Sequence, residues 1–146
     1  MRIVGSDYVF KILNQEFFES VFRVRRRYYM SGEPSELGKG SKIYFVMKSE
    51  EGSKYLLIGE GLCAGGNTLH PFDEGYEFAR RCGWDYVVYL EKLIEYKRPI
   101  AVEEIFAEST VMKIKQQRPY GIPLKREEAR AVKEKLKSLG YNSSTT

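Results

Sequence analysis

Two apolar, β-favouring runs, Lys42 to Met47 and Tyr55 to Leu62, are separated by a short polar stretch that contains Glu50-Glu51-Gly52-Ser53. A connection this short permits only an antiparallel hairpin, because a parallel return needs a crossover of roughly a dozen residues or more. A third run, Tyr86-Val87-Val88-Tyr89-Leu90 continuing through Leu93 and Ile94, is the strongest strand signal in the chain. These strands do not alternate regularly with helices, as a doubly wound sheet would require. The expected fold class is therefore α+β: a small curved sheet or β-barrel of about five or six strands with peripheral helices.

The remaining segments fit around that frame. Arg2 to Phe10 reads as a strand broken by a turn at Gly5-Ser6-Asp7. Asn14 suits the N-cap of a helix whose Phe17, Phe18, Val21 and Phe22 share one side. Arg23 to Met30 carries four arginines and no acid, and its Val and Tyr residues favour an extended segment with a basic face. Gly38-Lys39-Gly40-Ser41 makes a tight turn into Lys42, and Gly59 and Gly61 are expected to let their strand curve or bulge. Ala64-Gly65-Gly66-Asn67 reads as a loop, and Asp73 to Arg81 as a short helix stopped by Gly83. Ala101 to Phe106 reads as one or two helical turns, and Thr110 to Lys115 alternates like a strand. Leu124 to Leu139 places Ala129, Val132, Leu136 and Leu139 at helical spacing ahead of Gly140.

With 146 residues, 42% of them hydrophobic, the chain is expected to form one domain over residues 1–141 with a flexible tail at 142–146. No run approaches the ~20 apolar residues of a membrane span, and no apolar signal-type stretch follows Met1. A soluble, cytoplasmic protein without a membrane partner is the expectation. One histidine and two cysteines leave little for metal or nucleophilic chemistry. A zinc site, a Ser-His-Asp triad or a Cys-His pair would each rest on His70, which reads as an incidental loop residue. Cys63 and Cys82 lack metal-type spacing and are expected as reduced, buried thiols. No metal or cofactor is expected, and no catalytic residue is assigned.

The chain carries 24 basic and 20 acidic side chains, a net charge of +4, and their distribution matters more than the sum. Two acid-free stretches combine cations with aromatics: Arg23 to Tyr29 and Lys113 to Arg126. Arginine contacts phosphate, and tyrosine and tryptophan faces stack on bases at about 1–3 kcal/mol each. In the first stretch Arg23, Arg25, Arg26, Arg27 and Tyr28 are candidate nucleic-acid ligands, expected on one side of the domain. In the second, Gln116 and Gln117 offer carboxamides to a base edge, Arg118 a phosphate contact and Tyr120 a stacking face. Trp84, the sole tryptophan, reads either as a core or rim residue or as a stacking platform. An enzymatic alternative would use Glu60 or Glu91 as base with Lys42 or Lys113 as its electrophilic partner. A protein-interaction domain with a tyrosine-rich surface, and with it an oligomeric partner, stays open.

The order of elements resembles the PUA-like group of small β-barrels, which includes the EVE, ASCH and YTH families and archaeal families of unknown function. The features that carry the resemblance are Gly40-Ser41-Lys42-Ile43, Ile58-Gly59-Glu60-Gly61, Arg98-Pro99-Ile100 with Val102-Glu103-Glu104-Ile105, and Gly121-Ile122-Pro123-Leu124 ahead of the last helix. The resemblance implies a module that binds RNA or a modified nucleotide in a cleft on the barrel. It also implies that the Gln116 to Tyr120 segment stands at the cleft mouth.

Overall fold

A computed structural model of the chain describes residues 6–49, 51–52, 54–116 and 120–141. Strands β1 (Tyr8–Ile12), β2 (Arg27–Met30), β3 (Lys42–Lys48), β4 (Tyr55–Thr68), β5 (Tyr86–Ala101) and β6 (Gly121–Pro123) form one sheet in the order β2-β5-β4-β3-β1-β6. The sheet is mixed: β1 runs parallel to β3, and every other neighbouring pair is antiparallel. Helices α1 (Gln15–Glu19), α2 (Tyr76–Arg81), α3 (Glu108–Lys115) and α4 (Arg126–Ser138) surround it. The α+β class and the small curved sheet are as expected, the sheet curling into a half-barrel.

The curl originates in the long β4–β5 hairpin, whose register slips at three places: between Leu57 and Gly59, Glu60 and Leu62, and Cys63 and Gly65. Each slip inserts a bulge that bends the strands and increases their twist. Gly59 is required there because a Cβ on it would stand 2.5 Å from the Ile94 carbonyl oxygen and 2.9 Å from the Phe22 ring. The same slippage carries β4 through Ala64 to Asn67, where a loop was expected, so that Gly66 and Asn67 pair with Val88 and Val87.

Alternation along the strands divides the core in two. Tyr8, Phe10, Ile12, Ile43 and Phe45 point to the concave side, where they meet Phe17, Phe18, Val21 and Phe22. Val9, Tyr44 and Val46 point to the convex side, which is covered by Val111 and Ile114 of α3 and by Val132 and Leu136 of α4. The plug on the concave side starts as expected, with the Asn14 side chain accepting the Phe17 N–H at 2.8 Å. Beyond Glu19 the helix widens into a π-helical turn, Ser20–Val24. The extended segment expected over Arg23 to Met30 is thus a strand only from Arg27, and Arg26 turns the chain into it at φ 59°.

Thr110 to Lys115, expected as a strand, is helical. Its buried residues Thr110, Val111 and Ile114 lie at i, i+1 and i+4, one side of a helix, and packing on the convex face outweighs the β preference of Val and Ile. Met1 to Gly5 and the tail from Asn142 lie outside the described residues.

Among the described residues no backbone ladder joins the two ends of the sheet, β2 and β6. Side chains bridge the seam instead. The Tyr28 ring stacks on Phe10 with centroids 4.3 Å apart, and its hydroxyl donates to the Lys11 carbonyl at 2.6 Å. Tyr28 is 1% exposed, which corrects its assignment as a base-stacking residue: neither ring face reaches solvent. Replacing Tyr28 with Phe keeps the stack and removes the hydrogen bond. The expected outcome is a loss of about 1–2 kcal/mol in urea unfolding at an unchanged m-value; unchanged stability would show that the hydroxyl does not hold the seam.

Candidate ligand cleft

The half-barrel is open where its end strands fail to pair, and a cleft of about 670 Å³ occupies that opening. This size falls in the range of small-molecule sites. Met30 of β2 stands on one side, Gly121 and Pro123 of β6 on the other, and the 31–35 loop crosses the end. The floor is aromatic: Trp84, Phe17 and Phe78 form a contiguous group, with Trp84 to Phe17 ring centroids 4.7 Å apart and Trp84 to Phe78 5.8 Å apart. Tyr8 and Tyr120 add two further aromatic walls.

Local backbone chemistry sets Trp84 in place. At the end of α2, Gly83 takes φ 79°, the Gly83 N–H donates to the Arg80 carbonyl, and the Trp84 N–H donates to the Ala79 carbonyl, both at 3.0 Å. This is the Schellman pattern that a left-handed glycine permits. It reverses the chain so that the indole falls back on the helix and packs at the cleft floor. Trp84 is 8% exposed and belongs to the core while one edge of it lines the cleft.

Tyr120 is positioned by a buried lysine. Lys11 is 3% exposed, and its ammonium donates to the Ile114 carbonyl at 3.0 Å and to the Gln116 carbonyl. A cation at the carboxyl end of α3 satisfies carbonyls that have no helical partner and meets the negative end of the helix dipole. The same ammonium lies 5.9 Å from the Tyr120 ring centroid, and the Lys11 N–H donates to the Tyr120 carbonyl at 2.9 Å. Burial pushes the Lys11 pKa below its ordinary value.

The polar groups at the cleft are few. Asn14 has its side-chain oxygen engaged by the Phe17 N–H, leaving its amide free to donate to a ligand. The Tyr8 hydroxyl donates to the Ser35 carbonyl, and the Gly32 N–H donates to Asp85 Oδ1 at 2.7 Å. Glu16 and Glu33 supply carboxylates, and no basic side chain lines the cleft among the described residues. An aromatic floor with acidic edges suits a flat ring that presents donors.

Each arginine of the cluster has its own contacts. Arg23 is shared between Glu19 at 3.2 Å and Glu95 at 2.9 Å. Arg25 lies over the Phe78 ring at 5.0 Å and donates to the Ser20 hydroxyl. Arg26 donates to the Phe22 carbonyl. Arg27 pairs with Asp73 at 3.0 Å and covers the Tyr89 ring. Carboxylates thus neutralise Arg23 and Arg27, whereas Arg25 and Arg26 meet only a ring, a hydroxyl and a carbonyl among the described residues. Gln116 is exposed at the end of α3, Tyr120 reaches the cleft, and Gln117 and Arg118 lie outside the described residues.

Glu60 and Glu91 do not come together as an acid/base pair. Glu60 is 3% exposed; one oxygen accepts from the Lys42 ammonium at 2.6 Å and the other from the Tyr96 hydroxyl at 2.5 Å. Glu91 is exposed. His70 is exposed too, its Nδ1 accepting the Phe72 N–H at 3.2 Å. Among the described residues no three His, Cys, Asp or Glu side chains cluster as a metal site, and no helix is long and apolar enough to cross a membrane. Both cysteines are free; Cys63 is buried as expected, but Cys82 is exposed and lines the cleft. Its place at the end of a short surface helix leaves it uncovered. Comparison with protein-family models and with curated proteins finds no match for this chain.

Tyr8, Asn14, Phe17 and Phe78 were not singled out from sequence as site residues. Each reaches the cleft only through the closure of the half-barrel, and none carries a local signal beyond core or cap. Lys11 offers the sharpest test of how the cleft is held. Lys11→Met should cost about 1–3 kcal/mol by leaving the Ile114 and Gln116 carbonyls without their donor. Because the folded-state pKa is lowered, the unfolded chain binds more protons just below pH 10.5, so this group makes stability rise with pH through that window. The difference between wild type and Lys11→Met in chemical denaturation should therefore shift as pH rises toward 10.5; a pH-independent difference would contradict the burial of a charged ammonium.

Proposed function

We propose that this protein is a binding module that takes an unstacked base of RNA, or a modified nucleotide, into the cleft at the seam of its half-barrel. The observation that carries the reading is the convergence of Trp84 and Tyr120, from segments far apart in sequence, on one cavity of about 670 Å³. A base entering it would lie against the aromatic floor, and each productive stacking contact is worth about 1–3 kcal/mol. The Asn14 amide and the carboxylates of Glu16 and Glu33 supply acceptors and donors for the edge of the ring. The PUA-like motifs support the same reading, since they imply a ligand cleft beside the Gly121 to Leu124 segment.

Cys82 gives a reporter, because it is exposed and lines the cleft whereas Cys63 is buried. A thiol reagent should label one site quickly and the other slowly in the native protein. Under the proposal, some member of a panel of modified and unmodified nucleosides slows labelling of Cys82 in a saturable manner. Tyr120→Ala should weaken that protection by about 10- to 100-fold, the equivalent of ~1–3 kcal/mol of lost stacking. If no nucleoside protects Cys82 at millimolar concentration, the cleft does not bind bases and the reading falls.

A further inference from the structure

Among the described residues no basic side chain lines the cleft, so the exposed cations of the last helix are candidates to meet the phosphates of a strand whose base enters it. Arg126, Arg130, Lys133 and Lys137 follow one another at steps of four, three and four residues, which puts all four within roughly 60° of one another around an α-helix. The row is about 16 Å long, with successive cations about 4.5–6 Å apart along the axis. Val132 and Leu136, the buried residues of α4, flank the row on one side, and Glu127 and Glu134 flank it on the other, about 40–60° from Arg130.

Most of these charges are unpaired among the described residues, unlike those of Arg23 and Arg27. Arg126, Arg130 and Lys137 are exposed and form neither ion pair nor side-chain hydrogen bond among the described residues. Lys133 has only Asp7, at 3.9 Å. A groove of about 520 Å³ runs beside the row, with Arg126, Arg130 and Lys133 along it and Asp7 and Leu124 at its edge. That edge is shared with the cleft: Tyr8 and Pro123, the chain neighbours of Asp7 and Leu124, line the cleft, and the Leu124 N–H donates to the Asp7 carbonyl at 2.8 Å. Groove and cleft thus meet successive residues of the same two strand ends, the groove on the side that α4 covers and the cleft on the concave side.

We infer that the Arg126, Arg130, Lys133 and Lys137 face of α4 is the track for the phosphodiester backbone of a single nucleic-acid strand, one of whose bases enters the adjoining cleft. The inference rests on the base-binding reading of the cleft and adds the surface that makes an oligonucleotide a better ligand than a nucleoside. Each cation neutralises a phosphate and releases condensed counterions, so binding depends on salt in proportion to the number engaged.

The test uses the full chain and a labelled single-stranded RNA of about ten nucleotides, titrated by fluorescence anisotropy at several salt concentrations. The triple variant Arg126→Gln, Arg130→Gln, Lys137→Gln removes three charges from exposed positions without opening an ion pair. Its slope of log K against log salt should be shallower than that of wild type by about 2, from three phosphates at ~0.7 each. Nucleoside protection of Cys82 should be unchanged in the same variant. A control triple, Lys48→Gln, Lys54→Gln, Lys92→Gln, makes the same change in net charge away from α4 and should leave the slope as it is. Wild type should also bind the RNA more tightly than inorganic polyphosphate of equal charge. An unchanged slope in the α4 variant, an equal loss in the control, or equal binding of polyphosphate overturns the track, while cleft occupancy by nucleosides stands on its own readout. If nucleosides fail to protect Cys82 and the RNA does not bind at ~50 mM salt, the cleft reading fails first and the track fails with it.

Discussion

The contact between Tyr28 and the Phe10–Lys11 segment holds the open half-barrel together. A sheet whose end strands do not pair has nothing in its backbone to keep them near each other, and here the order of strands leaves β2 and β6 at opposite ends. The Phe10–Tyr28 stack and the Tyr28 hydroxyl bond to the Lys11 carbonyl provide the missing link. Lys11 serves twice in this arrangement. Its carbonyl receives Tyr28 at the seam, while its ammonium holds the end of α3 and the chain leading to Tyr120. The concave core, the convex helix and one wall of the cleft therefore meet at a single residue.

The same incomplete closure explains why an opening exists at all. β2 has four residues and β6 three, and Pro123 withholds a backbone donor from the end of β6. Short end strands with a proline resist further strand addition, which protects an exposed sheet edge from aggregation. They also leave a gap that side chains bridge at its base and do not fill at its mouth. Gly121 keeps the bridge tight, because a Cβ there would stand 3.0 Å from the Phe10 ring. The cleft is the unfilled part of the seam, lined by the aromatic residues that plug the concave side below it.

What the sequence discloses follows the range of the interaction involved. The hairpin of β3 and β4, the Asn14 cap, the glycine-associated bulges and the helix ending at Gly140 all depend on residues within a few positions of one another, and all were legible. The helical state of Thr110 to Lys115 was not, because it depends on burial against a convex face built from Val9, Tyr44 and Val46 and on a cap supplied by Lys11 from 103 residues away. Tyr28 shows the same limit: flanked by arginines it reads as a surface aromatic, yet the strand pairing of Tyr28 with Val88 turns it into the barrel. Of the candidate site, Trp84 and Tyr120 were legible as residue types, but their convergence is a property of the closed sheet.

Charge obeys the same distinction between local density and availability. In the densest basic run, Arg23 to Arg27, Arg23 meets Glu19 one helical turn away and Glu95, and Arg27 meets Asp73; the cations at its two ends are neutralised where they arise. Lys42 is likewise set against Glu60, a carboxylate whose two oxygens are both occupied. Withdrawing such a pair from water is costly, and good geometry with an added hydrogen bond is what makes the cost tolerable. A carboxylate fixed in this way fastens β3, β4 and β5 on the convex face, and has no vacant oxygen poised to take a proton. The row on α4 is sparser in sequence, and Arg126, Arg130 and Lys137 form no ion pair among the described residues. For a ligand that is both flat and anionic, an aromatic cleft with acidic edges and a separate cationic row form a coherent pair. Under the proposed reading, the row would take the phosphates of a strand whose base lies in the cleft.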